Sequence, residues 1–416
     1  LNVHAWLKPG TGSVPWRRVA ATCLALALSG AYGGPELAAQ EATYRVYVGA
    51  ESSDFLHRVA FGPTGARVEA SVHVASLYEQ SGVPDLLTES EGPHGVAIDG
   101  RRGMVYMTTG HGLPEGKLWK IEAGTGRLLA DPVPLGRFPA SLGLSPDGRW
   151  VYVANFNLHG TMAPSSISVV QADQMVEVAR IETCTMPHGS RVHPDGLRHY
   201  SACMMDDQLV EIDATELAVS RRLYLGSGEE RPLARDDLGF HAPPADGDAH
   251  HGGHAHADHA VAGGAGHYQA SCSPTWVQPD HAGERLYVAC NRSDQVLEVD
   301  IATWKVLRRF DTGRGPYNVD ITADDRLLVV TLKQGDGVEF IEIATGERAA
   351  LEATSTRVVH GIALSPDSRY AFISVEGIGA EPGKVDIFDL GDFTLAASVP
   401  VAFQASGIAF WEMSER

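Results

Sequence analysis

The sequence predicts an all-β protein, a seven-bladed β-propeller of four-stranded blades in which a C-terminal strand joins strands from the N-terminus. Three observations predict it. A phrase of two alternating strands around a Pro-Asp-Gly turn, "PASLGLSPDGRWVYVANF" from Pro139 to Phe156, recurs along the chain. Each copy is followed by a third and a fourth alternating segment, such as "QVLEVDI" and "KVLRRFDTG", so the unit is four short strands in roughly 40 to 50 residues. The last copy, "ASGIAFW" from Ala405, is a lone first strand, while "TYRVYVGA", "FLHRVAF" and "ARVEASVHV" near the N-terminus are three strands that lack one.

Taken in order, the first strands open at Pro93, Pro139, Pro187, Cys272, Pro316, Val359 and Ala405. The six complete copies account for six blades. Joining Ala405 onward to the three N-terminal strands makes the seventh and removes two sheet edges that would otherwise be free to pair with other chains. One propeller domain over residues 43–412 follows. Residues 1–39 read as a signal peptide: Arg17 and Arg18 precede the apolar run from Val19 to Gly33, and small residues near Ala39 offer a cleavage point. The expected location is therefore periplasmic or secreted, with no membrane span after cleavage.

Spacing between first strands is 43 to 48 residues except after His188, where it is 85. The excess, residues 226–268, has no alternating pattern and reads as a flexible His-rich loop insertion between blades. It carries His241, His250, His251, His254, His256, His259 and His267. Their irregular spacing among Gly and Ala suits a mobile metal-capture tract better than a rigid cage.

Four cysteines remain after signal cleavage, Cys184, Cys203, Cys272 and Cys290, an even number in an oxidising compartment. Two disulfides are expected, with Cys272 nearly opposite Cys290 and Cys184 within reach of Cys203. The net charge of −19 becomes about −21 without the leader, which repels phosphate backbones and argues against nucleic acid and for cations.

Aligning the first strands sets His94, Ala140, His188, Ser273, Tyr317, His360 and Ser406 in one column near the propeller axis. Histidine in blades one, three and six allows three imidazoles to converge from different directions. Three neutral imidazoles with an open position suit zinc or copper. For a single Pro-His-Gly the competing reading is a histidine bonded to a backbone carbonyl; three in one column favour a metal. Further ligands are sought in Cys184, Cys203 and Met186, since pairing the two strands sets Cys203 opposite His188, and soft sulfur favours copper(I). His111 and His159 follow second strands on the same face as outer ligands or solvated loop residues, and Tyr317 fills the column or bonds a metal-bound water. His193 and His281 fall in turns on the opposite face.

Phrases such as "VYVAN" at Val151 to Asn155 resemble the YVTN-repeat, YncE-like family of seven-bladed propellers, over nearly the whole mature chain. The resemblance implies the fold and leaves function open, because the fold carries binding proteins, lactonases and redox subunits. A looser resemblance links the histidine loop to AztD-type zinc chaperones, and the axial histidines to the propeller of nitrous oxide reductase. The leading expectation is an exported metal-binding protein or metallochaperone that serves a periplasmic metal transporter, acceptor or redox protein. The alternatives are a copper-dependent oxidoreductase at the same ring, and a metal-free scaffold or lactonase-like hydrolase. There is no GxSxG nucleophile elbow and no pair of carboxylates in the column.

Overall fold

The computed structural model describes residues 42–83, 91–111, 113–237 and 270–414. They form seven antiparallel sheets, one per blade, around a central channel. Pro-Asp-Gly turns the first strand into the second in blades two and three, and variants of it do so in blades one, four, five and six. In blade two the N–H of Ser145 donates to the Trp150 carbonyl at 2.9 Å, and Gly148 takes φ of 68°. Ser145 Oγ donates to the Asp147 carboxylate at 2.6 Å, which with the Arg149 N–H lowers that carboxyl to about 2. A turn that needs a left-handed residue and a short acceptor selects Gly and Asp.

Second strands such as Trp150–Asn155 are buried along almost their whole length, because each blade is covered by a neighbour on both faces. Outermost strands such as Arg348–Ala353 alternate between half-buried and exposed positions. The core is therefore a set of seams between blades. One seam packs Tyr106 and Leu118 of blade one on Leu142, Val151 and Val153 of blade two. In the seventh blade Thr43–Ala50 lies between Ala405–Ser414 and Phe55–Gly62, so the two chain ends close the ring as the repeat count requires.

Both expected disulfides form, Cys184 with Cys203 and Cys272 with Cys290. They flank the insertion, tying blade two to blade three and stapling blade four. The insertion is not strandless: Arg231–Leu233 adds a fifth strand to the outer edge of blade three, beside Ala218–Tyr224. Alternation cannot reveal so short a strand. The signal segment and His241 through His267 lie outside the described residues. The described ends of the insertion meet at one turn: Gln208 Nε2 donates to the Asp237 carbonyl at 3.5 Å, and the Asp207 carboxylate accepts the Ser271 and Ser273 N–H groups at 2.6 Å each. That turn follows a second strand, on the face where the first strands begin. Among the described residues no helix is long and apolar enough to cross a membrane.

Candidate functional site

Every first strand is preceded by a residue in the left-handed region: Gly92, Phe138, Met186, Ser273, Gly315, Val358 and Gln404, with φ between 46° and 66°. Pro follows in five of the seven blades. The ladder to the second strand then slips, between Pro187 and Ser190 in blade three and between Val359 and Ile362 in blade six. A bulge of this kind re-aims the side chain it contains, and here it turns the next residue towards the axis.

The structural column is His94, Ala140, His188, Thr275, Tyr317, His360 and Ser406. Thr275 replaces Ser273, because Pro274 pairs with Cys290 as Pro187 pairs with Cys203. Ser273 is instead the left-handed residue ahead of the strand. Cys203 likewise stands opposite Pro187 rather than His188, displaced by the bulge.

The three imidazoles and Tyr317 form a closed set around the axis. Ring centroids are 5.1 Å apart for His94 and His360, 6.4 Å for His94 and His188, 5.2 Å for His188 and Tyr317, and 5.0 Å for Tyr317 and His360. All four side chains are buried. His94 Nδ1 lies 2.6 Å from the Ala140 carbonyl and His188 Nδ1 lies 2.9 Å from the Thr275 carbonyl, each on the next blade. A carbonyl only accepts, so both rings carry a proton on Nδ1, and in the neutral form the lone pair is on Nε2. Tyr317 donates its hydroxyl to His188 Nε2 at 2.9 Å, and the same oxygen is 3.5 Å from His360 Nε2.

Burial, then the nearby Lys333 ammonium, holds the His360 pKa well below its usual value, so that ring is neutral. Burial likewise pushes the Tyr317 hydroxyl up to about 12. Lys333 sits 4.3 Å over the Tyr317 ring and donates to Glu376 at 2.8 Å. Burial would lower its pKa, but Glu376, with Tyr317 and Glu51, more than offsets that and holds it raised.

A second column, absent from the first-strand alignment, rims the mouth. It is the residue after each second strand: Glu51, Gly110, Phe156, Met204, Asn291, Lys333 and Glu376. In six of the seven the N–H donates to the carbonyl of the residue just ahead of its first strand, as Lys333 does to Gly315 and Glu376 to Val358, while Gly110 donates one residue further back, to Glu91. Aligning the ends of the second strands would have found it. Its carboxylates, Glu51 and Glu376, give the mouth an acidic lining beside Lys333 and the histidines.

His111 is anchored by a hydrogen bond from Nδ1 to the buried Glu51 carboxylate. Burial opposes charge on both groups, yet the pairing raises the His111 pKa, while His94 and His111 lower that of Glu51. His159 stands beside it, with ring centroids 5.5 Å apart. Burial and His111 lower the His159 pKa. The expected outer histidines thus reach the mouth, one above the other.

Sulfur does not join the site. Cys184 and Cys203 are consumed in their disulfide, which removes the thiolate donors expected there. Met186 packs beside Phe138, Phe156 and Met204 in an apolar cluster. His193 lies in the opposite-face turn as expected and latches blade three to blade four through Nε2 and the Gly283 carbonyl at 3.0 Å. Among the described residues no three His, Cys, Asp or Glu side chains stand at spacings that would hold a metal ion. The donor chemistry suits one, since neutral imidazoles are oriented through Nδ1, but the Tyr317 hydroxyl occupies the space between two of them.

A larger cleft, about 580 Å³, opens near the other face, among Arg45, Arg58, Arg67, Glu69 and Glu412. Its charges are spent on each other: Arg45, Arg58 and Arg67 all pair with Glu69.

Solved structures of proteins with several different activities are similar to this one. The periplasmic gluconolactonase of Pseudomonas aeruginosa superposes with a TM-score of 0.62 at 17% identity, covering 89% of this chain and 99% of its own. A putative 6-phosphogluconolactonase from Bacteroides uniformis gives 0.57 at 15% identity over 88% and 99%, and Kuenenia stuttgartiensis hydrazine synthase 0.57 at 18% over 79% and 92%. At such identities the likeness is one of fold. No curated protein sequence matches the chain significantly. The pattern of the YncE-like β-propellers matches residues 151–392, more than half of the chain and from blade two into blade six, and with the seven-bladed ring it shows that the protein belongs to the YncE-like β-propeller family.

Proposed function

We propose that the axial histidines, His94, His188 and His360, bind one transition-metal ion at the channel mouth, and that the protein is an exported metal-binding protein or metallochaperone. One observation carries the reading. His94 and His188 each spend Nδ1 on a backbone carbonyl of the next blade, the arrangement that orients metal-binding imidazoles and leaves Nε2 as the donor. The acidic rim favours a cation. With Cys184 and Cys203 oxidised, the donors are nitrogen, which suits zinc or copper(II) better than copper(I). An ion held by all three rings takes the position of the Tyr317 hydroxyl, so binding requires that hydroxyl to yield.

The His-rich tract between Asp237 and Ala270 supports capture or delivery, because its described ends lie on the mouth face. The two disulfides support an oxidising compartment and hence residues 1–39 as an export signal. A transporter or acceptor protein outside the cytoplasm is the partner class this role implies.

The test is metal content of untagged protein by elemental analysis, for wild type, for His94→Ala/His188→Ala/His360→Ala, and for a form lacking residues 238–269. Stoichiometric metal in wild type and in the loop deletion, absent from the triple variant, is expected. Full retention by the triple variant would sink the ring site.

A second reading rests on the Tyr317 hydroxyl hydrogen-bonded to His188 beneath Lys333, an arrangement that could move a proton during hydrolysis of a lactone. It predicts turnover of sugar lactones by metal-free protein, lost in Tyr317→Phe.

A further inference from the structure

Below the imidazole ring the channel holds a cavity of about 30 Å³ whose lining includes Arg191, Trp276, Asn318 and His360. That is room enough for a water molecule or a small ion. Three of these side chains carry buried polar atoms with no hydrogen-bond partner: Trp276 Nε1, Asn318 Oδ1 and His360 Nδ1. The residues are 7%, 3% and 4% exposed, so bulk water does not compensate them.

The orphaned nitrogen of His360 has a traceable cause. In blades one and three the neighbouring carbonyl accepts from the imidazole. In blade six the corresponding Ser406 carbonyl accepts the Ser374 hydroxyl at 2.5 Å and lies near the His360 ring without making a well-formed bond to Nδ1.

Arg191 adds a positive charge to the same wall. Its guanidinium stacks on Trp276 at 4.5 Å, with Nε on the Gln278 side chain at 2.8 Å and Nη1 on the Ser190 carbonyl at 2.9 Å. Among the described residues no carboxylate comes within ion-pair distance of it. Asp320 acts on it only from further off, and burial pushes that carboxyl towards its neutral form.

Two of the groups facing the cavity are fixed donors and two can adapt. Indole and guanidinium only donate, and the Asn318 amide can present its NH₂ by exchanging the ends of its side chain. His360 donates from Nδ1 in the tautomer that His94 and His188 adopt. A species that accepts several hydrogen bonds and offers none satisfies all four, whereas a water molecule brings two protons of its own.

We propose that the channel beneath the histidines binds one small inorganic anion of chloride size, held by Trp276, Arg191, Asn318 and His360. The anion supplies the well-formed Nδ1 partner that Ser406 does not, fixes the proton on that nitrogen, and leaves the Nε2 lone pair toward the axis with the other two. The site stands whether or not the ring above it takes a metal.

The experiment is diffraction from crystals grown in sodium bromide at the bromine edge, with chloride-35 NMR line widths in solution. Wild type, Trp276→Phe and Asn318→Asp are compared. Trp276→Phe keeps the ring under Arg191 and removes the N–H; Asn318→Asp keeps the shape and adds a repelling charge. Expected is an anomalous bromide peak within hydrogen-bond distance of Trp276 Nε1, and excess line width that falls at least tenfold in each variant that folds. A peak without anomalous signal, meaning water only, overturns the proposal. So does halide binding undiminished in Asn318→Asp.

Discussion

The Tyr317 hydroxyl stands 2.9 Å from Nε2 of His188 and 3.5 Å from Nε2 of His360, so a phenol from blade five bridges imidazoles from blades three and six. It is the group with which a metal ion would compete. Removing it in Tyr317→Phe frees a neutral donor at the cost of one hydrogen bond, worth about 1 kcal/mol net. Zinc affinity is therefore expected to rise by roughly fivefold, read by competition with a chromogenic chelator. Weaker binding in the variant would make Tyr317 a helper of the ion and not its rival.

Acid should loosen the fold through its buried neutral histidines. His199 is fully buried, with its pKa pushed down to about 3 by burial and then by the Arg191 charge, from 6.5. Its contribution is complete above the unfolded value of 6.5 and is lost as pH falls towards 3, because the unfolded chain takes up the proton first. Between those limits the slope from this one group is up to about 1.4 kcal/mol per pH unit. Urea unfolding of His199→Leu at pH 4 to 6 should show a shallower pH dependence than wild type, whatever its absolute stability.

Gly407 has no room for a side chain. A Cβ there would stand 2.2 Å from the His94 carbonyl oxygen, at the seam where the last first strand meets blade one. Gly407→Ala must push the two strands apart, at an expected cost of about 1–3 kcal/mol. The melting temperature should drop, and with it any metal held by His94. An unchanged melting curve would show that the seam is slack.

Loss of the Cys272–Cys290 bridge should weaken blade four where the insertion rejoins the propeller. The cysteines are 18 residues apart, and a closed loop of that size stabilises by about 3 kcal/mol when cross-linked. Cys272→Ala/Cys290→Ala is expected to unfold at lower denaturant than wild type, and reduction of wild type should reproduce the shift.

Much of the site could be read from the residues alone, and the misses have a common origin. Pro-His-Gly at Pro93 and Pro187 and Val-His-Gly at Val359 marked the three axial rings because the repeat is regular enough to align by eye. Ser273 was set in the column where Thr275 belongs because the copy was started at Cys272, two residues ahead of the Pro274 that opens the strand. Lys333, Glu376 and Glu51 were missed because they follow second strands, where side chains from six blades converge only once the ring is closed. Cys203 was read as facing His188 because a pairing scheme counted residue by residue has no place for the bulge.

Alternation, turn residues and a repeat with one strand displaced to the other end determined the architecture: seven blades, closed by the two termini, with two disulfides beside the insertion. These are local or periodic properties, and a chain carries them in its order of residues. What Nδ1 of each axial histidine meets was decided only in three dimensions, by the geometry of the next blade's carbonyl. Ala140 and Thr275 give theirs to imidazole, and Ser406 gives its own to Ser374. A hydrogen bond to a main-chain oxygen leaves no mark on residue type, so no reading of composition or spacing could assign it.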